Sequence, residues 1–95
     1  ADVARGAGAH PLRARRHQTL GPLEKQLATL EARIMELEAL QKERGIRLAD
    51  PAQYGDSREI ALLLKSHHAT QAELDVLTAR WEELATAIED ARAAL

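Results

Sequence analysis

The chain has 95 residues, of which 45% are hydrophobic, with thirteen basic and fifteen acidic residues, no cysteine, no phenylalanine and only Tyr54 and Trp81 as aromatics. That is enough for one small domain and too little aromatic bulk for a globular core, and it excludes disulfides and thiolate metal sites. No apolar run approaches the ~20 residues that a membrane-spanning helix needs, and Ala, Leu, Glu, Arg and Gln, the strong helix formers, dominate.

Residues 1–10 are rich in Gly and Ala without periodicity and read as a flexible leader to a coiled-coil domain over 11–95. The chain starts on Ala rather than Met, and it is expected to be a piece of a longer protein. Pro11 suits the first turn of a short helix that carries Arg13, Arg15 and Arg16 and runs to Leu20. Gly21-Pro22 then interrupts, because proline lacks an N–H and restricts the residue before it. A kink or a fresh helix start is expected there.

A long helix is predicted over 22–49. Apolar residues recur in steps of three and four at Leu20, Leu23, Leu27, Leu30, Ile34 and Leu37, and the series continues through Gln41, Arg44 and Leu48. Asp50-Pro51 ends it. A polar loop over 50–56 follows, with Pro51, Gly55 and two Asp. Asp56 and Glu59 have the spacing of a capping box, which opens a second helix over 57–94. Its seam passes through Ile60, Leu63, His67, Thr70, Leu74 and Leu77, then Trp81, Leu84, Ile88 and Ala91.

Neither amphipathic helix can bury its stripe alone, and a short loop makes them antiparallel neighbours. The expected fold is all-α: an antiparallel two-helix coiled-coil hairpin with a short, kinked N-terminal helical lead-in. Two registers pair seam with seam. In one, Leu48 faces Leu63, Arg44 faces His67, Gln41 faces Thr70, Leu37 faces Leu74 and Leu30 faces Trp81, so the polar seam residues meet one another. In the other, Leu37 falls on His67 and Ile34 on Thr70. A buried polar group without a partner costs about 1–3 kcal/mol, which selects the first register. Trp81 is then a packing residue, and the Tyr54 ring is expected to fold back over Leu48 and Ile60.

The stretch Leu23 to Ile34, with its L-E-x-x-I ending, the loop Asp50-Pro-Ala-Gln-Tyr54, and Arg80-Trp-Glu-Glu-Leu84 resemble the C-terminal domain of ABC-F ATPases of the Uup type. The lead-in Arg16-His17-Gln18 is similar as well, and the likeness covers about residues 15–90. The resemblance implies a soluble bacterial, cytoplasmic ATPase. Its two upstream cassettes, in the same chain, would bind ATP and Mg, and this domain would be an accessory arm that contacts DNA or ribosomal RNA.

Within the chain itself no catalytic, cofactor or metal site is expected. Gly6-Ala-Gly8 lacks the spacing and the lysine of a phosphate-binding loop. His67 and His68, adjacent on a helix, point ~100° apart and do not chelate as an i, i+4 pair does. The ligand signal is basic. Lys42, Arg44 and Arg47 gather near the loop with Arg58 and Lys65 across from them, and Arg13, Arg15 and Arg16 form a second cluster at the opposite end. Such clusters fit sequence-independent contact with nucleic-acid phosphates, and the loop-end cluster has fewer acids around it. The competing reading is a purely structural hairpin that mediates protein–protein or interdomain contacts.

Overall fold

The computed structural model describes residues 11–95, apart from the side chains of residues 11–14, 16, 17, 53 and 54. The leader over 1–10 lies outside the described residues. Three helices follow in order: α1 (Pro11–Ala49), a single turn α2 (Pro51–Tyr54) and α3 (Ser57–Ala94). α1 and α3 pack side by side as the expected antiparallel hairpin. At 1.5 Å per residue each long helix measures about 57 Å.

The 3–4 spacing of apolar residues decides which faces meet. Every seam position named above is buried or half-buried, and the buried apolar side chains are Leu20, Leu37, Leu74, Leu84 and Ile88. Among the described residues no side chain is completely enclosed. Two helices alone cover only one stripe on each other, so the flanks of the seam stay open to water.

The first register is the one observed. Trp81 donates its indole N–H to Glu31 Oε1 at 3.0 Å, one residue from the Leu30 layer. Arg33 reaches Glu73 at 3.1 Å and Arg92 reaches Glu24 at 3.2 Å. The alternative register is displaced by one heptad, roughly 10 Å along the axis. It would put Leu23, not Leu30, opposite Trp81.

The first helix departs from its expected start. α1 begins at Pro11 and continues through Pro22 to Ala49, so of the two outcomes expected at Gly21-Pro22 a fresh helix start is absent. The proline φ is close to the helical value, and what is lost is one hydrogen bond, to the Gln18 carbonyl, on an exposed face. Leu20 and Leu23, on either side, both stay in the seam, and that burial holds the helix together across the gap. The C-terminal boundary falls at Ala49 as expected.

The loop is also more ordered than a bare turn. Pro51 sits at the first helical position of α2, and Gly55 N–H closes the turn on the Pro51 carbonyl at 3.2 Å. Asp56 caps α3 by accepting from Glu59 N–H at 2.9 Å, which is one half of the expected capping box. The expected position of the Tyr54 ring lies outside the described side chains.

Candidate nucleic-acid interface and the groove beside Trp81

A heptad seam leaves two flanks, and the outward helix positions assign each charged residue to one of them. The predicted loop-end cluster is thereby divided. Arg44 occupies the seam itself. Its Nη1 donates to Thr70 Oγ1 at 2.6 Å, to the Ser66 carbonyl at 3.3 Å and to Gln41 Oε1 at 3.4 Å. Gln41 in turn donates to the His67 carbonyl at 2.9 Å. The four polar seam residues do form one layer, but with exchanged partners: Arg44 pairs with Thr70 and Gln41 with His67. The His67 ring is not the acceptor for Arg44, and its Nδ1 is buried with no partner among the described residues. Arg44 is half-buried and spends its Nη1 inside the seam.

Arg47, Arg58 and Lys65 all lie at the loop end but on different faces, Arg47 beside the seam and Arg58 with Lys65 on the back of α3. Arg58, Leu62 and Lys65 follow one another at i, i+4 and i+7, one exposed strip of α3. Arg47 lies across the interhelical groove from that strip, in a depression lined by Glu59, Ile60, Leu62, Leu63 and Ser66. Leu62 is 58% exposed, between Arg58 and Lys65 along α3 and at the edge of the depression that holds Arg47. Among the described residues none of the three cations enters a hydrogen bond or ion pair. The sequence reading missed Leu62. The available signal was its position outside the seam, where an apolar residue is not needed for pairing.

Lys42 lies on the other flank, in a groove with Glu38, Gln71, Asp75 and Thr78. It is separated from Arg47, Arg58 and Lys65 by the hairpin itself. Of the distal cluster, Arg15 is exposed, while the side chains of Arg13 and Arg16 lie outside the described residues. His67 and His68 hold their ring centres 6.4 Å apart with planes inclined by 47°. Among the described residues no three potential ligand side chains converge on a metal site. None of the described helices is long and apolar enough to cross a membrane.

The charge is segregated along the rod. Between residues 42 and 68 five cations face four acids, whereas the stretches 22–41 and 69–95 together hold ten acids against four cations. The ion pairs lie in this acidic middle part, between Arg33 and both Glu36 and Glu73 and between Arg92 and Glu24. The hydrogen bond to Glu73, followed by its charge, raises the Arg33 pKa above its ordinary value. These pairs are exposed and help fix orientation more than stability.

The family model of the ABC transporter C-terminal domain matches residues 22–86. The chain belongs to that family. The match covers most of both seams, the loop and the Arg80-Trp81 segment, and leaves Leu20 and Ile88 outside it. No curated protein and no solved structure matches the chain. An ABC transporter C-terminal domain is an accessory element, distinct from the ATPase cassette of the protein that carries it.

Proposed function

We propose that this domain is the C-terminal arm of an ABC-F ATPase of the Uup type, and that its loop end contacts the phosphate backbone of DNA or ribosomal RNA through Arg47, Arg58 and Lys65. The cassettes of the same longer protein, in the cytoplasm, bind ATP and Mg and supply the hydrolysis. The arm supplies a rigid reach. The observation that carries this reading is the segregation of charge. The loop-end stretch carries cations outside any described ion pair, while the acidic stretches behind it repel a polyanion and favour the tip as the place of contact. Contact of this kind is sequence-independent, because point charges reach phosphates and not base edges.

The test is a mobility shift with duplex DNA and with a ribosomal RNA helix over a series of salt concentrations. Three phosphate contacts give a slope of log K against log salt of about −2.7 on duplex DNA. Each of Arg47→Glu, Arg58→Glu and Lys65→Glu should weaken binding to all sequences alike and reduce the slope by about one. Binding unchanged in the triple variant moves the contact to the end that carries Arg13, Arg15 and Arg16. Absence of a shift even at low salt leaves the purely structural hairpin as the function.

A further inference from the structure

The opposite flank carries a second surface of different chemistry. Beside the seam, Met35 is 69% exposed, and it lies next to half-buried Trp81 in a groove floored by Ile34 and Thr78. Glu31 and Glu38, one heptad apart, form the α1 wall of this groove. On the α3 side the groove continues past Asp75 toward Gln71 and Lys42. Glu82 follows Asp75 by one heptad on the same face of α3. The floor from Glu31 to Lys42 is about 16 Å long, the length of three helical turns.

Three features make this a place for a helix. Thr78 and Ala85 are short residues beside the seam, and half-buried Trp81 lines the open groove together with Thr78. Trp and Met are the side chains that contribute most at adaptable protein contacts, Trp through area and Met through flexibility. A third helix laid along an antiparallel pair completes a bundle and removes Met35 and Trp81 from water. The rim then selects the occupant. Glu31, Glu38, Asp75 and Glu82 make it acidic, with Lys42 only at its far end, so it repels nucleic acid and favours a cation-bearing partner. Glu31 keeps this role while it accepts the indole N–H, because a carboxylate has a second oxygen.

We infer that the Met35–Trp81 groove is a docking site for a basic amphipathic helix of a separate protein chain, whose apolar stripe covers Met35 and Trp81 while its Lys or Arg residues pair with Glu31, Glu38, Asp75 and Glu82. A second copy of this chain is a poor occupant. Its own groove carries the same acidic rim, so two copies placed groove to groove would bring Glu31, Glu38, Asp75 and Glu82 against like charges. This site is separate from the loop-end contact proposed above and stands or falls independently of it.

Trp81 is the only tryptophan and sits in the groove, so its fluorescence reports occupancy directly. The probe is a synthetic peptide of about 14 residues, roughly four helical turns, with leucines spaced three and four apart and lysines flanking them. Its control is the same peptide with glutamate in place of each lysine. The 95-residue chain should show a saturable blue shift with the lysine peptide and none with the glutamate peptide. Met35→Glu should weaken that binding about tenfold or more, and Glu38→Lys should weaken it with less effect on the hairpin's helicity by circular dichroism. Met35 and Glu38 are both exposed, so neither change removes a seam contact. An equal response to both peptides, unchanged binding in Met35→Glu, or no saturable response would overturn the inference. So would concentration-dependent dimerisation that Met35→Glu abolishes, because the occupant would then be a second copy.

Discussion

Arg44 and Thr70 are joined across the seam by a 2.6 Å hydrogen bond, at the point where the buried part of the core ends. Beyond this layer, among residues 42–69, no described side chain is buried; Leu48, Ile60 and Leu63 are only half-covered. The layer therefore closes the core and gives the register a unique polar match. Arg44→Ala leaves the Thr70 hydroxyl and Gln41 short of a partner and should cost about 1–3 kcal/mol in chemical denaturation. The combined change Gln41→Leu, Arg44→Leu and Thr70→Val should be neutral or stabilising by the same measurement, since well-packed apolar groups replace a polar network. Its cost should be specificity: light scattering should detect higher oligomers or slipped pairings absent from the parent chain.

The Trp81–Glu31 bond sets the next expectation. Trp81 is half-buried, so Trp81→Ala should fall below the 3–5 kcal/mol typical of a fully buried large aromatic, at about 2 kcal/mol. Trp81→Phe keeps an aromatic ring in the seam but loses the N–H bond and part of the indole's packing area, and should cost about 1 kcal/mol, less than Trp81→Ala. Glu31→Gln retains an acceptor for the indole and should leave the melting temperature almost unchanged. A large loss in Glu31→Gln would show that the charge itself, not the hydrogen bond, holds the ring.

Two glycines should respond in opposite directions. A Cβ at Gly45 would meet nothing within 4 Å, and the residue lies inside α1. Gly45→Ala should therefore stabilise by about 0.5–1 kcal/mol through helix propensity. A Cβ at Gly55 would stand 2.5 Å from Glu59 Oε2 and 3.1 Å from Glu59 Cβ. The carboxylate can swing aside but the Cβ is fixed to α3, so Gly55→Ala should lower the melting temperature. Asp56→Ala, which removes the cap on Glu59 N–H, should cost about 0.5–2 kcal/mol.

These positions show how far the sequence alone could be read. Seam residues, the register and the end of α1 follow from a 3–4 period and the mismatch of Leu37 with His67, and both are properties of the residue string. The partners inside the polar layer do not follow. A long arginine reaches a turn beyond the residue it faces, so Arg44 finds Thr70 rather than His67. The five loop-end cations looked like one cluster because they are close in the string and across the loop. Their separation depends on rotation about each helix: Lys42 on one flank, Arg44 inside, and Arg47 with Arg58 and Lys65 on the other side and the back of α3. That rotation is encoded in heptad position, as is the placement of Met35 and Leu62 outside the seam.

Pro22 is the plainest case of tertiary packing over local preference. Proline inside a helix is normally disfavoured by about 3 kcal/mol relative to Ala, yet α1 passes through it with Leu20 and Leu23 both held against α3. Pro22→Ala restores an N–H that can donate to the Gln18 carbonyl and removes the ring from the preceding turn. The gain is offset by about 0.4–1 kcal/mol of added freedom in the unfolded chain. The variant should be more stable by about 2 kcal/mol in chemical denaturation, with greater ellipticity at the helical minimum. A destabilised Pro22→Ala would mean that the proline fixes a bend on which the fit of residues 11–21 depends.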